Sequence, residues 1–193
     1  IAPDYSASSV HADLFVPVRA GCDAALALAV GHVLVEEGRI DRKFLCEQTD
    51  LALLVREDTQ RFLRSEDLGA DGRDDELFFH DTKRGLTPVP KRSLDLAEIE
   101  PRLEGRFDVT IKDGRTVKCS TAFSLLRARL ADYSPEKAEA LCGTPAPVIR
   151  TLAKMFAGAR AASMVTTSNF SKYYHGNLIE RCQALVFALT GQY

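Results

Sequence analysis

The sequence predicts an α/β fold, an open and mostly parallel sheet with flanking helices, broken by an irregular and β-rich insertion. Three observations carry this. A short apolar stretch at 13–18 runs through a glycine loop into an almost wholly apolar helical segment at 23–37. A second compact apolar stretch, 161–167, leads through a polar–aromatic loop into an amphipathic segment at 176–189. Between them, residues 56–118 are crowded with charges and turn signals. Strand, loop and helix in repeated succession describe a layered α/β structure.

Each element has its own signal. Ile1-Ala2 reads as the end of a strand, with Pro3-Asp4-Tyr5-Ser6 as turn chemistry behind it. Pro17 confines the strand at 13–18 to an edge or an end. Asp23 stands in the first turn of the helix at 23–37, where the helix dipole favours a carboxylate, and Gly38 stops it. Its apolar residues cover nearly every face, so it is a core helix. In the insertion, 77–80 and 87–89 can form one ribbon, and 108–112 and 115–119 flank the hairpin signal Asp113-Gly114. The segment reads as an insertion with no core of its own. A helix follows at 121–131. Ser134-Pro135-Glu136 opens a short one ending at Gly143, and Thr144-Pro145 another ending at Gly158. The expected organisation is 1–55 as the first part of an α/β domain, 56–118 as the insertion and 119–193 as its second part.

Composition narrows the function. With 25 basic and 27 acidic residues the net charge is −2, so no basic field awaits nucleic acid. No apolar run reaches the roughly 18 residues of a bilayer span. The five cysteines are odd in number and scattered, which excludes a C-x-x-C knuckle and argues against a disulfide framework; they read as small buried hydrophobes. Neither G-x-G-x-x-G nor a Walker A pattern is present. Both ends look cut, which predicts an interior piece of a longer polypeptide.

Ligands of open α/β sheets sit in the loops after strand ends, and three loops qualify. Loop 3–9 offers Asp4, Ser6 and further serines for a ribose or phosphate, or is a turn satisfying its own backbone. Loop 19–23 sets Gly21, Cys22 and Asp23 at a helix start. A carboxylate there can accept paired donors such as the N1–H and amino group of guanine, or can simply cap the helix. Loop 167–175 concentrates Asn169, Lys172, Tyr173, Tyr174 and His175 before Gly176. Lys172 and His175 are donors for an anionic group, or the loop is solvated and held by its aromatics. His32, inside the apolar helix, reads as a hydrogen-bonded core histidine, and no nucleophile–base pair is evident.

Several stretches resemble one family. Ile1-Ala2-Pro3-Asp4-Tyr5-Ser6, His11-Ala12-Asp13 and Pro17-Val18-Arg19-Ala20-Gly21-Cys22-Asp23-Ala24-Ala25-Leu26-Ala27-Leu28-Ala29 are similar to the middle region of molybdopterin-guanine-dinucleotide oxidoreductases of the DMSO reductase family. The resemblance continues through Val35-Glu36-Glu37-Gly38-Arg39-Ile40-Asp41, Tyr133-Ser134-Pro135-Glu136 and Cys142-Gly143-Thr144-Pro145 to Ala188-Leu189-Thr190-Gly191. Glu47-Gln48-Thr49-Asp50-Leu51 and Arg61-Phe62-Leu63-Arg64 resemble the type II branch of nitrate, selenate and chlorate reductases, ethylbenzene dehydrogenase and steroid C25 dehydrogenase. Cys22 departs from the family's usual threonine, and Thr166-Thr167 from its glycine-rich strand end.

The resemblance implies a fragment, inactive alone, of a molybdenum oxidoreductase catalytic subunit that moves an oxo or hydroxyl group. The cofactor implied is bis-molybdopterin guanine dinucleotide, with a 4Fe–4S cluster elsewhere in the subunit. Asp4, Ser6, Gly21, Cys22, Asp23, Asn169 and Gly176 are the implied cofactor-binding residues; Lys172 and His175 are the implied catalytic ones, and no metal ligand lies in this chain. Implied partners are the rest of the subunit, an iron–sulfur beta subunit, a haem gamma subunit and a small-molecule substrate. The implied compartment is the periplasm, with the cytoplasm as the alternative. A self-standing nucleotide-binding or protein-interaction module is the competing function.

Overall fold

A computed structural model of the chain describes residues 1–69, 72–90, 96–166 and 172–192. Contacts divide it into two units, Ile1–Asp41 with Arg129–Tyr193, and Arg42–Ala128.

The first unit is built on helix α1 (Asp23–Glu36), in which Leu26, Ala27, Ala29, Val30, Val33, Leu34 and Val35 are all buried. Burial on so many sides follows from its all-round apolar sequence. It packs against α5 (Pro135–Cys142), α6 (Ala146–Gly158) and α7 (Gly176–Leu189). Their boundaries are chemical. Pro135 opens α5, the Ser134 hydroxyl accepts from the Lys137 N–H, and Gly143 at φ +77° closes it. His32 does what a core histidine should, with Nδ1 3.0 Å from the Leu130 carbonyl oxygen.

The expected open parallel sheet is not formed. Among the described residues the parallel pairing is one bridge between Ala2 and Pro17. There the Ala2 N–H donates to Val16 O at 3.1 Å and the Val18 N–H to Ala2 O at 3.3 Å. Residues 161–166 are not a strand either: the Ala162 N–H donates to Gln192 Oε1, and Val165 is 95% exposed. Apolar, β-branched sequence sets a preference for extension, but a strand exists only where a neighbour completes its hydrogen bonds.

The second unit carries α2 (Arg42–Gln48), α3 (Ser65–Leu68) and most of α4 (Ala122–Leu130), and the sheets that do form lie in it and are antiparallel. β1 (Leu54–Arg56), β2 (Arg61–Phe62), β5 (Arg106–Thr110) and β6 (Thr116–Thr121) take the order β2-β1-β6-β5. Val109 pairs with Val117 across the Asp113-Gly114 turn. β3 (Phe78–Asp81) and β4 (Gly85–Pro88) form the expected ribbon. The Asp81 carboxylate ties its turn by accepting from the N–H groups of Lys83, Arg84 and Glu100.

This segment does have a core, contrary to expectation. Leu54, Leu63, Phe78, Val109, Ile111, Val117 and Cys119 form one buried cluster. Along the first four residues of β6, exposed Thr116 and Lys118 alternate with buried Val117 and Cys119, so a charge-rich sequence still closes an apolar face. Arg56, nearly buried, pairs with Asp58 and Asp67 beside it. No helix of the described residues is long and apolar enough to cross a membrane.

Candidate functional site

The start of α1 is shaped by its preceding loop. The Cys22 N–H donates to Arg19 O, and Cys22 O accepts from the Ala25 and Leu26 N–H groups, so Cys22 is the N-cap through its backbone. Its side chain makes no capping hydrogen bond. Arg19 is anchored at the end of α5: its N–H donates to Cys142 O at 2.8 Å and its guanidinium to Ala140 O at 2.9 Å. Gly21 takes φ +79°, a left-handed conformation that glycine adopts freely.

Asp23 is half-buried there, and burial raises its carboxyl above the usual aspartate range. The N–H groups of Asp23 and Gly21 oppose that rise by stabilising the charged form. The result is an acceptor held in place, partly out of water, at the mouth of an apolar cleft that Asp23 shares with Ile1, Leu26 and Val30. Such a carboxylate favours a ligand carrying N–H donors on a flat, otherwise apolar body.

The third loop comes to the second. A β-carbon built on Gly21 would lie 3.1 Å from Tyr173 Cδ1, so the tyrosine ring rests against the glycine backbone. Gly176 is buried as the first residue of α7, and its N–H donates to Tyr173 O at 3.0 Å. His175 is the N-cap at φ +57°, its carbonyl accepting from the Leu178 N–H at 2.8 Å while its imidazole makes no capping bond. That imidazole lies against the Tyr174 ring, centroids 4.0 Å apart. Lys172 and His175 are both exposed. Asn169 lies outside the described residues.

In the first loop the serines bond locally. The Ser6 N–H donates to Ser9 Oγ at 3.2 Å, and the Ser9 N–H to Ser6 O at 2.9 Å, a serine turn bonding its own backbone. Asp4 and Ser6 are exposed beside it. Two features escaped the sequence reading, the Tyr173–Gly21 contact and Gln183, a residue of the same cleft whose Oε1 is buried without a partner among the described residues. Gln183 stands four residues after Ile179 and three before Val186, both buried, so helical spacing alone places it on the apolar face.

Burial also pushes the Cys119 thiol up to about 11 and raises those of Cys46 and Cys182, so these cysteines are poor nucleophiles. No group of three or more potential metal ligands occurs among the described residues.

No protein-family profile matches the chain. Individual proteins do. The alpha subunit of perchlorate reductase from Dechloromonas aromatica is 34% identical over 99% of this chain and 24% of its own length. The alpha subunits of dimethylsulfide dehydrogenase from Rhodovulum sulfidophilum and chlorate reductase from Ideonella dechloratans are each 36% identical. They are matched over 99% and 100% of this chain and 21% of their lengths. These relatives are catalytic subunits of the DMSO reductase family, and the chain matches one segment of each. It spans between a fifth and a quarter of the length of these relatives. Its family homologues are molybdenum-cofactor enzymes. Among solved structures, acetylene hydratase from Pelobacter acetylenicus superposes with a TM-score of 0.57, at 18% identity over 99% of this chain and 16% of that one. That likeness is one of fold.

Proposed function

We propose that the chain is a segment of the catalytic subunit of a type II molybdenum oxidoreductase, and that it holds one guanine-dinucleotide end of a bis-molybdopterin cofactor. The observation that carries this is Asp23. It is a half-buried carboxylate fixed at a helix start beside an apolar cleft, in a chain whose relatives each contain it as one segment of an alpha subunit. That inclusion favours a subunit segment over a self-standing module.

The residues suit the group. Asp23 would accept from the guanine N1–H and amino group. Gly21, without a side chain, leaves room for the Tyr173 ring to rest on the backbone beside Asp23. Asp4 and Ser6 are the candidates for ribose hydroxyls, with Cys22 and Gly176 as further candidates beside Asp23; Asn169 is a candidate from the sequence alone. When bound, the cofactor supplies the two-electron change that accompanies oxo or hydroxyl transfer. Lys172 would hold negative charge on a phosphate or substrate, and His175 would hold or pass a proton at an imidazole nitrogen. A 4Fe–4S cluster in the rest of the subunit, an iron–sulfur beta subunit, a haem gamma subunit and a periplasmic address complete the proposal.

Asp23→Ala in the full-length subunit tests it. Losing a charge-assisted pair worth about 1.5–3 kcal/mol should lower the content of guanine nucleotide and molybdenum together in a folded protein. Unchanged content of both would refute the assignment.

A further inference from the structure

The cleft beside Asp23 is lined by Leu26, Val30, Leu152, Phe156, Met164 and Phe187. Its walls are apolar, yet it stands open: Met164 is 43% exposed, and Ile1, also on its rim, 65%. Gln183 is among its lining residues, and Gln183 Oε1 is a buried acceptor with no donor among the described residues. An occupant must therefore be apolar over most of its surface and carry one N–H at a fixed place. An extended peptide has that character, because its N–H groups alternate with side chains that can be wholly apolar.

The lengths of the relatives point to the source of such a peptide. The chain covers 21–24% of the alpha subunits it matches over nearly its whole length, so most of such a subunit lies outside these residues. We infer that the cleft receives an extended, apolar segment of the remainder of the same catalytic subunit, with Gln183 Oε1 accepting one of its backbone N–H groups. The inference rests on the proposed membership of a longer catalytic subunit. It does not depend on which cofactor that subunit carries. Docking here would also finish the burial of Met164 and set the far wall of the recess in which Asp23 stands.

The test uses the full-length subunit. Met164→Cys keeps an apolar side chain at the position and adds a thiol whose maleimide labelling can be followed by peptide mass mapping. Position 164 should label at least about 100-fold more slowly in the folded subunit than in urea. In the unaltered subunit, amide exchange over 160–166 should be slowed to match. Labelling and exchange at the rates of unfolded chain would overturn the inference. So would protection that disappears on dilution together with a halving of mass by light scattering, because the occupant would then be a second copy. Molybdenum content, measured on the same sample, reports on the cofactor reading separately: an open cleft in a molybdenum-loaded subunit defeats the docking alone.

Discussion

Tyr173 rests its ring against the backbone of Gly21, 152 positions earlier in the chain, at the approach a β-carbon on that glycine would occupy. The contact joins the loop before α7 to the loop before α1. It therefore ties the segment carrying Lys172 and His175 to the segment carrying Asp23.

Gly21→Ala should be costly for two separate reasons. The residue holds φ +79°, and the new methyl would press on Tyr173. A destabilisation above about 1 kcal/mol is expected in urea unfolding. Tyr173→Ala in the same background should recover the part due to the clash and leave the part due to φ. If the double variant recovers nothing, the contact is not tight.

Asp23→Asn separates stability from binding. Burial raises the carboxyl pKa in the folded state, so folding is least penalised by Asp23 at pH below the ordinary value, where both states are protonated. The penalty grows as pH rises through that value and is complete above the raised folded one. At neutral pH, without cofactor, the asparagine variant should therefore melt at a higher temperature than the parent, and the gain should vanish in acid. A lower melting temperature at neutral pH would mean that the charged form is stabilised by its N–H donors more than burial harms it.

His80 makes the second unit acid-sensitive. Its ring stacks on Phe107 with centroids 3.7 Å apart, and its Nδ1 is buried without a partner among the described residues. Burial, then the charge of Arg102, lowers its pKa, against the weaker pull of Asp81. The stability that comes with a neutral ring is present above the ordinary histidine value and is lost as pH falls through the lowered one. Chemical denaturation should show weakening as pH falls below the ordinary histidine value, and His80→Phe should flatten that slope. An unchanged slope in the variant would assign the acid sensitivity elsewhere.

Lys172→Met in the full-length enzyme keeps length and removes charge. Turnover should fall by about 10²-fold with molybdenum retained if Lys172 meets charge that develops in the reaction. Loss of both would place it at the cofactor. Turnover and metal both unchanged would return it to the solvated loop that its exposure in this chain also permits.

Helices were legible because their signals are local. Asp23 marks the start of α1, Ser134-Pro135 and Gly143 the two ends of α5, and Thr144-Pro145 and Gly158 those of α6, each with a few neighbouring residues. The turn at Asp113-Gly114 was legible for the same reason. The sheet was not, because pairing is decided by distant partners. The apolar stretch at 161–166 looks like a strand and finds no ladder here, while Val117 and Cys119, set among charges, pack into a core that local charge density concealed. Of the site, Asp23 at its helix start could be read from sequence. The approach of Tyr173 to Gly21 could not, since nothing in either loop names the other.

The most direct measurement of the central claim is elemental and nucleotide analysis of the intact native subunit, released by acid and normalised to protein mass. A subunit of the relatives' length carrying molybdenum and guanine nucleotide in the ratio of the bis form is the predicted result. A folded, active subunit that carries no molybdenum, or molybdenum with no guanine nucleotide, would contradict it.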